Sequence, residues 1–125
     1  MISEKVRTAV RIRAEERCEF CNIRQAMDPF FRFHIEHIIP RQHGGSNELE
    51  NLALACYYCN TRKGSNLAGI DPHTGLLTPL FHPRLQRWSE HFSRNGAVVS
   101  GITAVGRATV LLLKMNHPDR LRLRE

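Results

Sequence analysis

The chain has 125 residues, of which 42% are hydrophobic and 24% charged, a composition that excludes disorder and suits one domain with one modest core. No apolar run, Val110–Leu113 included, approaches the roughly 20 residues that span a bilayer. The start, Met-Ile-Ser-Glu-Lys-Val, lacks the apolar stretch of a secretory signal, so the cytoplasm is the expected location and no membrane partner is expected. The net charge of +6 and pI of about 9.7 favour polyanionic partners. The excess leans to the C-terminal side: residues 1–65 hold 10 Lys/Arg and 8 Asp/Glu, and residues 66–125 hold 8 and 4.

In chain order, residues 3–17 are expected to be helical, with Ser3 as N-cap and Ile2, Val6 and Val10 near one side. Residues 22–31 form a connection. Arg32–Ile39 has strand character and is stopped by Pro40. In a regular strand Glu36 and His37 point to opposite sides. They converge only if the strand ends or bends there, as Pro40 allows. Arg41–Glu50, with Gly44-Gly45-Ser46-Asn47, is a turn-rich loop, and Leu52–Ala55 suits a second strand. Asn60–Lys63 is read as a helical turn stopped near Gly64. Gly69–Gly75 is read as a loop, Trp88–Phe92 as a short aromatic core segment, and Ala97–Thr103 as a strand or hairpin around Gly101. Arg107–Asn116 is a buried helix ended by Pro118, and Arg120, Arg122 and Arg124 form a solvated basic tail.

The four cysteines fall in two pairs, Cys18-x-x-Cys21 and Cys56-x-x-Cys59. In a reducing compartment a repeated C-x-x-C reads as a zinc site rather than as disulfides. Two knuckles complete a tetrahedral shell of four thiolates with no open position, which makes this zinc structural. A redox role needs only one such pair.

Between and after the pairs stand Glu36-His37-Ile38-Ile39-Pro40, Gly44-Gly45, Asn51-Leu52 and Cys56-x-x-Cys59-Asn60-x-x-Lys63. In this order they resemble the HNH endonuclease motif in its zinc-bearing form, over residues 18–64. The segment with Trp88 and Gly106–Asn116 is also similar to the tail of a bacterial subgroup.

The resemblance implies an α+β fold with a ββα-metal core and DNA as substrate; phosphate chemistry alone leaves RNA equally open. Residues 65–125 are expected to pack on that core, so that 1–125 form one domain. It further implies His37 as general base, Asn51 as brace of the loop and of that histidine, and Glu36 and Asn60 as ligands of a catalytic divalent ion. Asn60 stands where many relatives carry histidine. Carboxylate and amide oxygens are hard donors, which points to Mg2+ or Mn2+. Arg41, Arg62 and Lys63 are the expected phosphate contacts. His34 and His43 have weaker claims to a role at the site. Two other functions remain: a non-catalytic zinc-stabilised nucleic-acid-binding module, and a zinc scaffold for protein contacts.

Overall fold

Ser3 caps helix α1 (Glu4–Arg13), its hydroxyl accepting from Val6 N at 3.3 Å in the computed structural model, which describes residues 2–125. The helix stops four residues sooner than expected. Glu15 and Glu16 both take φ of 55°, a conformation that breaks the helical ladder. Arg17 is thereby released to bridge Arg24 across the base of the first cysteine knuckle.

Strands β1 (His34–His37) and β2 (Leu52–Ala55) pair antiparallel, with His37 opposite Leu52 and His34 opposite Ala55. β2 is buried at every residue. Helix α2 (Tyr57–Lys63) follows at once, capped by Cys56 and closed by Gly64 at φ 50°. This is the strand–strand–helix order that the motif implies.

The second half departs from expectation in detail. Of the expected Gly69–Gly75 loop, Gly69 and Ile70 belong to strand β3 (Ala68–Ile70), and the rest turns the chain into β4 (Leu77–Pro79). The Ala97–Thr103 hairpin turns earlier, at Gly96-Ala97, joining β5 (Phe92–Asn95) to β6 (Val98–Gly101) after a one-turn helix α3 (Trp88–His91). Gly96 takes φ of 61°, which the first residue of such a two-residue loop requires. Helix α4 (Ala104–Leu113) starts three residues sooner than Arg107 because Thr103 caps it through Gly106 N. Helix α5 (Pro118–Arg124) replaces the expected solvated tail.

One hydrophobic cluster runs through both halves, from Val10, Phe20 and Ile23 through Leu52 and Leu54 to Phe92, Leu113 and Met115. Each large apolar side chain sealed there contributes about 1.5–3 kcal/mol. Trp88 lies at its edge, stacked on Phe92 with ring centroids 5.0 Å apart and donating Nε1 to the Phe20 carbonyl at 2.8 Å. Phe92 is core, as expected, and Trp88 packs partly buried against it. The fold is α+β, with the C-terminal half closing the core that the cysteine knuckles begin.

Candidate active site and metal centre

The two knuckles are held by the same strand. Glu19, inside the first, donates its backbone N–H to the Leu54 carbonyl and accepts Leu54 N–H on its carboxylate, both at 2.8 Å. Arg84 pairs with the other oxygen of that carboxylate. The second knuckle begins where β2 ends, and Cys56 Sγ accepts from Cys59 N at 3.4 Å as the cap of α2. The four sulfurs are thus brought within 4.8 Å of one another, all buried.

Cys21 and Cys56 sulfurs are 3.6 Å apart. A disulfide needs about 2.05 Å. Tetrahedral Zn–S bonds of about 2.3 Å put sulfurs roughly 3.8 Å apart. All four cysteines are free, and the spacing fits a four-cysteine zinc site. Among the described residues this is the one cluster of His, Cys, Asp or Glu with metal-ligating geometry.

At the other end of the strand pair, β1 ends at His37 and Pro40 redirects the chain. Asn51 fastens that end. Its Oδ1 accepts Ile39 N at 2.9 Å, and its Nδ2 donates to the carbonyls of Ile39 at 3.0 Å and Ser46 at 2.8 Å. Ile38 N donates to the Asn51 carbonyl at 2.8 Å. A Cβ on Gly45 would lie 1.6 Å from the Ile39 carbonyl oxygen, so the loop closes this tightly only with glycine there.

The half-buried His37 ring meets Asn47, with Nε2 2.7 Å from Asn47 Oδ1. A carboxamide oxygen only accepts, so this contact suits the tautomer with the proton on Nε2 and the lone pair on Nδ1. Asn47 makes the direct contact with the ring, while Asn51 bridges backbone groups on either side of the loop.

Glu36 points to the opposite side of the strand and is buried. Lys63 Nζ lies 3.4 Å from its Oε1 and donates to the His37 carbonyl at 3.3 Å. Burial pushes the Glu36 carboxyl up, partly opposed by Lys63, and burial pulls the Lys63 ammonium down, partly opposed by Glu36. Lys63 is 2% exposed. It therefore does not stand with Arg41 and Arg62 at the surface as a phosphate contact; its long apolar stem lets it cross the α2–β1 interface instead. Arg41 and Arg62 are exposed as expected, and Asn60 is half-buried one turn before Lys63 on the same face of α2. For a hard cation the donor chemistry fits. Glu36 Oε2 has no hydrogen bond among the described residues, and Asn60 adds an amide oxygen.

A cavity of about 260 Å³ adjoins Lys63, lined by Ile38, Ile39, Leu67, Phe81 and His82. His82 Nδ1 accepts from the N–H groups of Arg84 and Leu85 at 3.2 Å, and burial lowers its basicity. His34 and His43 are exposed and have no side-chain hydrogen bond among the described residues. The largest omission of sequence reasoning is Arg120 and Arg124. Both are buried, and Arg120 Nη2 lies 2.8 Å from Cys59 Sγ.

Residues 18–66 match the family model described as HNH endonuclease. The match covers 49 of the 125 residues, about two fifths of the chain. No curated protein and no solved structure matches the chain. No helix among the described residues is long and apolar enough to cross a membrane.

Proposed function

We propose that the chain is a metal-dependent endonuclease that hydrolyses phosphodiester bonds in DNA, with His37 as general base. The observation that carries this reading is the His37 ring, half-buried at a strand end, with Nε2 spent on Asn47 and Nδ1 left as an acceptor. A neutral imidazole in that state can take a proton from water near neutral pH.

Nδ1 of His37 accepts the water proton as the oxygen bonds to phosphorus, and the bond to the 3′ oxygen breaks in line. Asn47 holds the ring and favours the imidazolium through the same hydrogen bond. Asn51 keeps the strand end and the glycine loop in register. Glu36 and Asn60 would hold the ion, Mg2+ or Mn2+, which when bound supplies the counter-charge for the leaving 3′ oxygen. Lys63 fixes the Glu36 carboxylate so that Oε2 stays open. Arg41 and Arg62 would contact flanking phosphates, an interaction that carries no sequence information. The four cysteines would hold structural zinc, and 1–125 would act as one domain in the cytoplasm.

A second reading, the non-catalytic nucleic-acid-binding module, is favoured by one observation: the Lys63 ammonium already neutralises Glu36 at 3.4 Å. Nicking of supercoiled plasmid separates the two. The proposed function expects cutting with Mg2+ or Mn2+, none with chelator, and near-complete loss in His37→Ala. Tight DNA binding with no cleavage under any divalent ion would establish the second reading. Equal nicking by both proteins would remove His37 from the role of base.

A further inference from the structure

Arg120 is 1% exposed. A guanidinium keeps its charge at any physiological pH, and a buried charge demands a compensating one. Among the described residues no carboxylate lies within 4.0 Å of it; the adjacent Asp119 pairs instead with Arg122 at 3.3 Å, at the surface. What Arg120 meets is sulfur. Its Nη2 is 2.8 Å from Cys59 Sγ and 3.7 Å from Cys56 Sγ. Nη1 donates to the carbonyls of Leu113 and Lys114, and the guanidinium lies 5.5 Å from the Tyr58 ring centroid.

Arg124, one turn on, is a second buried cation without a carboxylate partner. It donates to the carbonyls of Ala97 at 2.7 Å, Met115, and Cys21 at 3.4 Å. Four neutral thiols would leave both cations uncompensated. Four thiolates around a divalent ion carry a net double negative charge, which the two guanidinium groups match.

We propose that Arg120, with Arg124 behind it, is the counter-charge of the cysteine-bound zinc, so that the metal and helix α5 hold each other in place. The proposal rests on the reading of the cysteines as a zinc site. The N–H···S contacts are charge-assisted and withdraw electron density from two of the four sulfurs. They are the kind of outer contact that tunes a metal site without touching the metal. Arg120 is a positioning residue for the centre, and the C-terminal helix becomes part of it.

The test uses the full chain loaded with zinc or with cobalt as a spectroscopic probe. Arg120→Met should weaken zinc retention against a competing chelator by about 10–100-fold. It should also move the sulfur-to-cobalt charge-transfer band to lower energy, because the thiolates become more electron-rich. Arg120→Lys keeps the charge and loses the two-sulfur fork, so its affinity and band should fall between native and Met. Asp119→Asn breaks the surface pair with Arg122 in the same helix, yet touches neither a sulfur nor Arg124, so its band should stay native. Removing zinc from the native chain should speed amide exchange across residues 118–124. Native affinity and a native band in Arg120→Met would overturn the proposal. If that variant does not fold, an unchanged band in Arg120→Lys overturns it. A native chain that binds neither zinc nor cobalt stoichiometrically refutes the zinc reading itself, a separate result.

Discussion

The cysteine centre and the histidine site occupy opposite ends of one two-stranded ribbon and are built on opposite terms. His37 pairs with Leu52 at one end, and Cys56 follows Ala55 at the other, about 13 Å along the strand. The sulfur end is closed. None of its four cysteines is more than 1% exposed, and it draws on the first knuckle, the start of α2 and a helix at the C-terminus. The histidine end draws mainly on the motif, Asn47 and Asn51 from the loop, Glu36 from the strand and Lys63 from α2, with Arg13 of α1 holding the Leu49 and Leu52 carbonyls. It leaves Nδ1 of His37 and Oε2 of Glu36 without hydrogen-bond partners among the described residues. A site that must hold the fold uses every ligand and hides them. Under the proposed function, a site that meets a substrate needs such free acceptors.

Breaking the closed end should cost most. Cys56→Ser removes a ligand from a centre whose metal binding is worth on the order of 10 kcal/mol, comparable to the whole stability of a domain, about 5–15 kcal/mol. Stoichiometric zinc and the cooperative melt should both disappear, by metal analysis and circular dichroism. Retention of one zinc with a native melting temperature would contradict the assignment of all four cysteines as ligands. Breaking the open end should leave the fold intact. His37→Ala should lower nicking by about 10²–10⁴-fold while zinc content and melting stay native.

The two asparagines sharpen the contrast within the open end. Asn51→Ala orphans Ile39 N and the carbonyls of Ile39 and Ser46, and should destabilise the chain by on the order of 3 kcal/mol, read by urea unfolding. Asn47→Ala removes one hydrogen bond to the His37 ring, about 1 kcal/mol. It should slow nicking by roughly five- to tenfold with little change in the unfolding midpoint. The reverse pattern would return the brace of the histidine to Asn51.

The smallest effect tests the remote half. Arg107 holds Asp71 with two bonds of 2.8 and 2.9 Å, joining the β3–β4 hairpin to α4. The guanidinium keeps this carboxyl well below the usual carboxylate range. Its folded-state value is depressed, so its stabilisation is present above the unfolded value of about 3.9 and is lost as pH falls below it. Asp71→Asn should melt a few degrees lower at neutral pH, and the gap should close as pH drops below about 4. Zinc content should not change. A gap that persists in acid would show that the lost packing, not the charge pair, is responsible.

What is legible in the sequence follows the same division. The cysteine spacing, the Glu36-His37 strand end stopped by Pro40, Leu52–Ala55 and the Ser3 cap are local signals, and local physics settles them. The β3–β4 hairpin is hidden because three-residue strands carry no periodicity. Lys63 looks like a surface contact because an α2 lysine has no sequence mark of burial; its partner Glu36 lies 27 positions away. Arg120 and Arg124 look like a solvated tail for the same reason, since the charge that buries Arg120 belongs to sulfurs more than 60 positions earlier. His82 and His117 show no partner in sequence because each is spent on a turn, accepting backbone N–H groups two or three residues ahead. Asn47 and Asn51 are both visible as asparagines in a turn-rich loop. Only the folded loop assigns one to the ring and the other to the backbone.

The separation of the two ends is tested most directly by following nicking and bound zinc in one EDTA titration of the native chain. The account predicts that nicking stops while one zinc per chain and the native melt persist, and that added Mg2+ or Mn2+ restores cutting. Nicking that survives once every exchangeable ion is gone, or that stops only when the cysteine-bound zinc leaves, would contradict it.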